Sequence, residues 1–252
     1  VEWDHWPHEG YADPWVSTAS FEYPCVLRGP AEGGRAVLVL ADHAPGFGDP
    51  ARPKPVLHFW ARAFDEKTRH RPQPNINFNQ MIVDVDLDLG RGNAGAIGIN
   101  HQGAEGSVIE DVTIDATGAF AGVQNAPGSG GAIHGVTVRG GRYGLLIRNP
   151  DKTVKGSQPA PVVSALRLEG QTEYSILYDG SGPLTVVGAL IEGAGLRSDC
   201  PASENWNGAL NLVDVAIRLK NRGPAVASNH SVVAENLYTD FVPRHKIGVM
   251  CP

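Results

Sequence analysis

Seven charged residues recur along this chain at a regular beat. Asp88, Asp115, Arg139, Glu169, Glu192, Arg218 and Asp240 are separated by 27, 24, 30, 23, 26 and 22 residues. Carboxylates gathered with an arginine between them suit glycosidic-bond cleavage. One carboxyl protonates the leaving oxygen and a second acts as nucleophile or base, about 5–5.5 Å away for retention and about 6.5–9.5 Å for inversion. If the beat reflects stacked coils, Asp88 and Asp115 fall on neighbouring strands about 4.8 Å apart. Asp115 and Glu169, with Arg139 between them, fall roughly two spacings apart. Asp88, Asp115 and Glu169 are therefore the candidate catalytic acids. Arg139 and Arg142 are candidate substrate-holding cations, and His101 and Trp206 further candidate substrate contacts. The same column is equally what a solvated, ion-paired sheet face looks like, so both readings stand at this point.

The acids are densest early in the series, where Asp84, Asp86, Asp88, Asp111 and Asp115 would share one small surface. Like charges that close should raise at least one carboxyl pKa or else collect a cation, with Ca2+ a candidate. Lyase chemistry on a uronate would need a cation or arginine on the carboxylate and a base for the C5 proton. Arg139, Arg142, His101, His134 and the aspartates could supply those parts. Against it, the chain has 6 lysines and a net charge of -6, a weak general attraction for polyanions, nucleic acid or an anionic membrane.

Elements that could position such a column are visible in the pattern around it. Residues 82–87, 109–114, 133–138, 163–168 and 186–191 share an apolar residue, two variable positions, an apolar residue, one variable position and an apolar residue. Weaker copies follow at 212–217 and 234–239. Shorter runs lie between them at 96–99, 121–123, 143–145, 175–177 and 224–226, separated by Gly-, Asn- and Ser-rich bends. Two or more strands per 22–30-residue repeat, with bends between, predict a solenoid whose coils cover one another's apolar side chains. The count of 31 Gly and 19 Pro in 252 residues, about 20% against roughly 12% on average, excludes a helical array.

The expected architecture is all-β, a right-handed parallel β-helix of about seven coils over residues 76–241. Residues 1–75 read as a non-repeating, β-rich cap. They hold Trp3, Trp6, Trp15 and Trp60, with His5, His8, Glu9, Asp13, His43 and His58 as sugar-platform or metal alternatives. Segments 149–161 and 195–207, the latter with Trp206, read as insertions. Residues 242–252 read as the start of a further coil, to be covered by a partner chain or by residues beyond this sequence. Three cysteines allow at most one disulfide.

The run over residues 84–149, DVDLDLGRGNAGAIGINHQGAEGSVIEDVTIDATGAFAGVQNAPGSGGAIHGVTVRGGRYGLLIRN, resembles the right-handed parallel β-helix proteins of the pectate-lyase-like superfamily. The resemblance covers about residues 76–241. It implies an extracellular, secreted carbohydrate-active protein with a polysaccharide as its partner and no nucleic acid or membrane. The Asn-Thr-Asp, Asp-Asp and Gly-His-Gly set of polygalacturonase-type hydrolases is not found, nor the Gly-rich turn leading to a capping helix. The expectation is a glycoside hydrolase ahead of a polysaccharide lyase using Arg, His and Ca2+. The alternative is a non-catalytic glycan-binding or structural module of adhesin or tailspike type.

Overall fold

A computed structural model describes residues 24–30, 32–60, 77–128, 130–147, 161–180, 182–199 and 209–240. Those residues form strands and turns, with no helix among them, and every strand pairing is parallel. The apolar pattern explains why. In residues 82–88, Ile82 points in and Val83 out, Asp84 turns the chain, and Val85 and Leu87 point in again while Asp86 and Asp88 point out. A single residue thus breaks the period of two, and the repeated three-then-two apolar spacing records a strand, a one-residue bend and a second strand.

That bend forms a column of its own. Asp84, Asp111, Gly135, Ala165, Gly188, Asp214 and Asn236 all have positive φ, between 50° and 64°. Asp, Asn and Gly tolerate the left-handed region best, which accounts for six of the seven. Backbone bonds between coils continue through the bend: the Asp84 N–H donates to the Glu110 carbonyl, Asp111 to His134 and Gly135 to Ser164. Near the last coils the side chains also join, Asn236 Nδ2 donating to Asp214 Oδ1 at 2.8 Å.

The first leg of each coil, before the bend, is β1 (Val26–Arg28), β4 (Met81–Val83), β7 (Val108–Glu110) and β10 (Ala132–His134). The second leg is β2 (Ala36–Val39), β5 (Val85–Asp88), β8 (Thr113–Ala116) and β11 (Thr137–Gly140). From β13 (Val162–Glu169) onward, through β15 (Leu184–Gly193), β17 (Leu210–Leu219) and β19 (Val232–Thr239), one strand runs through both legs. Together these make a 12-stranded sheet. A 7-stranded sheet faces it, composed of β3 (Lys54–Phe59), β6 (Ala96–His101), β9 (Ala121–Asn125), β12 (Tyr143–Ile147), β14 (Tyr174–Tyr178), β16 (Leu196–Ser198) and β18 (Val226–Ser228). The protein is a parallel β-solenoid, as the repeat predicts.

Two parts of the sequence reading change. The solenoid starts before residue 76: β1 pairs with β4, β2 with β5 and β3 with β6, so residues 26–59 contribute a coil of their own and the coil count departs from the expected seven. Residues 1–23, with three of the tryptophans and His5, His8, Glu9 and Asp13, lie outside the described residues. So do 148–160, 200–208 and 241–252, with the proposed insertion loops and the further coil. The second change is β16, inside the segment read as an insertion. Its register with Ile176, Leu177 and Tyr178 makes it a regular strand of the second sheet.

Inside, the columns Ile82–Ile109–Ile133–Val163–Val186–Leu212 and Leu87–Ile114–Val138–Leu168–Ile191–Ile217 are buried along their whole length. Burying each such side chain contributes about 1.5–3 kcal/mol. The second sheet answers the second column with glycine. A Cβ on Gly98 would come to 3.0 Å from Ile114 Cγ2, on Gly122 to 2.4 Å from Val138 Cγ1, and on Gly144 to 2.9 Å from Leu168 Cδ2. The two sheets interdigitate there, large residue against none, coil after coil.

Candidate functional site

The charged column is assembled as its spacing implied. Asp88 is the register partner of Asp115, Asp115 of Arg139, Arg139 of Glu169, Glu169 of Glu192, and Glu192 of Arg218. Arg218 then meets Asp240, Nε to Oδ2 at 3.3 Å. The column closes the second leg on its outward face, because these side chains follow the buried Leu87, Ile114, Val138, Leu168, Ile191 and Ile217 in an alternating strand.

Its two halves differ in chemistry. From Arg139 onward the charges neutralise one another. Glu169 takes Arg139 Nε at 3.5 Å and a close hydrogen bond from Arg167 Nε. Glu192 takes Arg167 Nη2 at 3.5 Å and Arg218 Nη1 at 3.1 Å. Glu169 is therefore occupied by two guanidinium groups, unlike the other two candidate acids. Asp88 and Asp115 have no ion-pair partner among the described residues. Each instead accepts the N–H two residues ahead, Gly90 to Asp88 Oδ1 at 2.9 Å and Thr117 to Asp115 Oδ1 at 3.0 Å. One oxygen of each carboxylate is thereby fixed by the backbone. Both side chains are exposed.

Crowding of the acids has a different outcome from the expected rise in a carboxyl pKa. Arg35, just before β2, reaches over the neighbouring coil. Its Nε lies 2.7 Å from Asp86 Oδ2, its Nη2 2.9 Å from Asp86 Oδ1, and its Nη1 3.7 Å from Asp84 Oδ1. Nη2 also donates to the Asp111 carbonyl. The Thr113 N–H adds a bond to Asp86 Oδ1 at 2.8 Å. Burial works against ionisation of Asp86, but the Arg35 hydrogen bonds, the Thr113 amide and the guanidinium charge together outweigh it, so the carboxyl sits below its ordinary range. The expected cation is thus a side chain of the first coil. Asp84 and Asp111, read as part of an acidic surface, hold the left-handed bend. Among the described residues no group of three or more His, Cys, Asp or Glu side chains converges.

The remaining expected contacts separate. Arg142 stands at another corner, where Nε donates to Glu173 Oε1 at 2.7 Å and the guanidinium lies 5.3 Å from the Phe120 ring centroid. The Tyr143 hydroxyl donates to the other Glu173 oxygen. Burial opposes ionisation of Glu173, yet the Tyr143 and Arg142 bonds bring its carboxyl below the ordinary range. Further along this edge Arg197 pairs with Asp199 at 2.5 Å and lies over the Tyr174 ring. His101 is fully buried in β6, its ring stacked 5.5 Å from Phe59 and its Nε2 3.1 Å from the Gln80 carbonyl. It therefore has no surface to offer a substrate, and burial lowers its pKa to about 4. Trp206 lies outside the described residues.

No family model, curated protein or solved structure matches the chain. Arg35 and Glu173 are the site-forming residues that sequence reasoning missed. Arg35 belongs to a coil whose strands are separated by long stretches that hide the repeat, whereas Glu173 could have been found from the Arg142-Tyr143 pair one coil before it.

Proposed function

We propose that the protein is an extracellular carbohydrate-active β-solenoid of the pectate-lyase-like kind, engaging a polysaccharide along the outward face of the second leg and cleaving it as a glycoside hydrolase. The observation that carries this reading is the Asp88–Asp115 pair: in-register neighbours, exposed, and free of ion pairs among the described residues while the acids around them are neutralised. Neighbouring strands are about 4.8 Å apart, near the roughly 5–5.5 Å separation of a retaining pair. In this assignment one aspartate attacks the anomeric carbon and the other protonates the leaving oxygen, then activates water in the second step. Arg139, next in the column, orients hydroxyl or carboxylate groups of the following sugar.

The first prediction tests this directly. Across a panel of neutral and uronic polysaccharides, turnover should proceed with retention of anomeric configuration, read by NMR of the first product. Asp115→Asn should lower the rate more than ~100-fold at unchanged melting temperature. Full activity in Asp115→Asn removes the assignment. A second reading rests on the closed ion-pair series from Arg139 to Asp240, which suits a stable binding face of a non-catalytic module. Glycan binding without turnover by the unmodified protein would select it, and an unsaturated product would select a lyase.

A further inference from the structure

On the other side of the bend, the outward face of the first leg gathers three chemistry-bearing side chains into one column. Glu110 of β7, His134 of β10 and Ser164 of β13 are register partners on successive coils. His134 Nδ1 lies 2.8 Å from Ser164 Oγ. The imidazole is exposed and the serine partly so. Beside them run Ala132 and Val162, the valine 47% exposed. Immediately after Ser164 the chain turns at Ala165, with φ 50°.

A hydroxyl within hydrogen-bond reach of an imidazole, with a glutamate in register on the coil beyond, follows the order of nucleophile, base and orienting acid. We propose that Ser164 and His134 form an acyl-transfer site that hydrolyses carboxylic esters of short acyl groups, with Glu110 as its positioning residue. With the ring proton on Nε2, Nδ1 accepts the Ser164 hydroxyl. Ser164 Oγ attacks the ester carbonyl carbon as its proton passes to Nδ1. The bond from that carbon to the alcohol oxygen breaks, and the departing alkoxide takes the proton from His134. Water, giving its proton to Nδ1, then attacks the acyl-serine carbon. The acyl–Oγ bond breaks, Oγ recovers the proton, and the carboxylic acid leaves. The imidazolium formed in each half stands about one strand spacing from the Glu110 strand, where a negative charge stabilises it. Ala132 and Val162 give a small apolar rim that suits a short acyl group.

This site shares neither face nor substrate with the Asp88–Asp115 pair, so the two readings fail independently. The test treats the full 252-residue chain with a fluorophosphonate probe and maps the adduct by peptide mass spectrometry. Labelling is expected at Ser164, absent in Ser164→Ala and slowed at least ~100-fold in His134→Gln. With p-nitrophenyl acetate as substrate, Glu110→Gln should lower kcat by ~10-fold or more with KM and melting temperature unchanged, a split that a packing role would not produce. No adduct on Ser164, or labelling unaffected by His134→Gln, overturns the proposal. Ser164→Ala removes one hydroxyl from a partly exposed position and keeps the test readable should the histidine variant unfold.

Discussion

At the scale of single residues, the same amino acid serves two purposes a few positions apart. Asp84 and Asp111 sit at positive φ, where their value is conformational, while Asp88 and Asp115 sit in extended backbone, where their carboxylates face outward. Ala165 is the exception in the bend column, an alanine at φ 50° where Gly, Asp or Asn otherwise stands. A left-handed conformation costs a non-glycine residue roughly 1–2 kcal/mol, and glycine's extra unfolded-state entropy costs about 0.5–1 kcal/mol. Ala165→Gly should therefore stabilise the protein by about 1 kcal/mol, or a melting temperature about 2–4 °C higher. Urea denaturation with an unchanged m-value is the measurement, and a lower midpoint would show that Ala165 is not strained.

At the scale of elements, the solenoid depends on large residues of the second leg entering the glycine column of the facing sheet. Gly122→Ala would put a methyl 2.4 Å from Val138 Cγ1 and should cost about 1–3 kcal/mol. Adding Val138→Ala should recover part of that loss by making room, whereas Val186→Ala, away from this contact, should simply add its own cost. Equal additivity of both pairs in chemical denaturation would refute the interdigitation. This scale also shows what was legible in the sequence. The seven-position column is legible in the sequence because a strand repeats every coil, and a charge after each final apolar residue marks the same outward position. The first coil escaped because its three strands are separated by long stretches, so no fixed beat links Leu27, Leu38 and Leu57 to Ile82, Leu87 and Ile99. The strand β16 escaped because Leu196-Arg197-Ser198 offers one apolar residue where the preceding strand offers Ile176, Leu177 and Tyr178. The acidic surface was misjudged for a physical reason: a repeating aspartate looks alike in sequence whether its backbone or its carboxylate is being used.

For the whole molecule, pH should act through one buried histidine and two ion-paired carboxylates, at successively lower pH. His101 has its pKa lowered from 6.5 to about 4 by burial, so the folded state holds it neutral while the unfolded chain takes up a proton below about pH 6.5. Its stabilising contribution is complete above that value and declines as the pH falls toward about 4, by roughly 3 kcal/mol in all. Asp86 and Glu173, held below their ordinary values of 3.8 and 4.5, withdraw their contribution only as the pH falls further, through their folded-state pKa values. Urea midpoints at pH 7, 5.5 and 4.5 should decline in the unmodified protein, and the slope over this range should flatten in His101→Asn. An undiminished slope in that variant would place the acid sensitivity elsewhere. The uneven reach of the coils has a kinetic consequence. From the second coil on, register partners such as Ile82 and Ile109 are 27 positions apart, about a tenth of the chain, a span typical of fast-folding helical bundles. Leu27 must close across 55 positions to Ile82 and Leu38 across 49 to Leu87, about 0.6 kcal/mol dearer in loop entropy for each doubling. Assembly should begin among the later coils and reach the first coil last. Pulsed hydrogen exchange during refolding should then protect β13, β15 and β17 before β1, β2 and β3, and the reverse order would contradict it. Until that final docking brings Arg35 across, the carboxylates of Asp84 and Asp86 stand without their shared cation, which makes acquisition of the first coil the step most sensitive to salt.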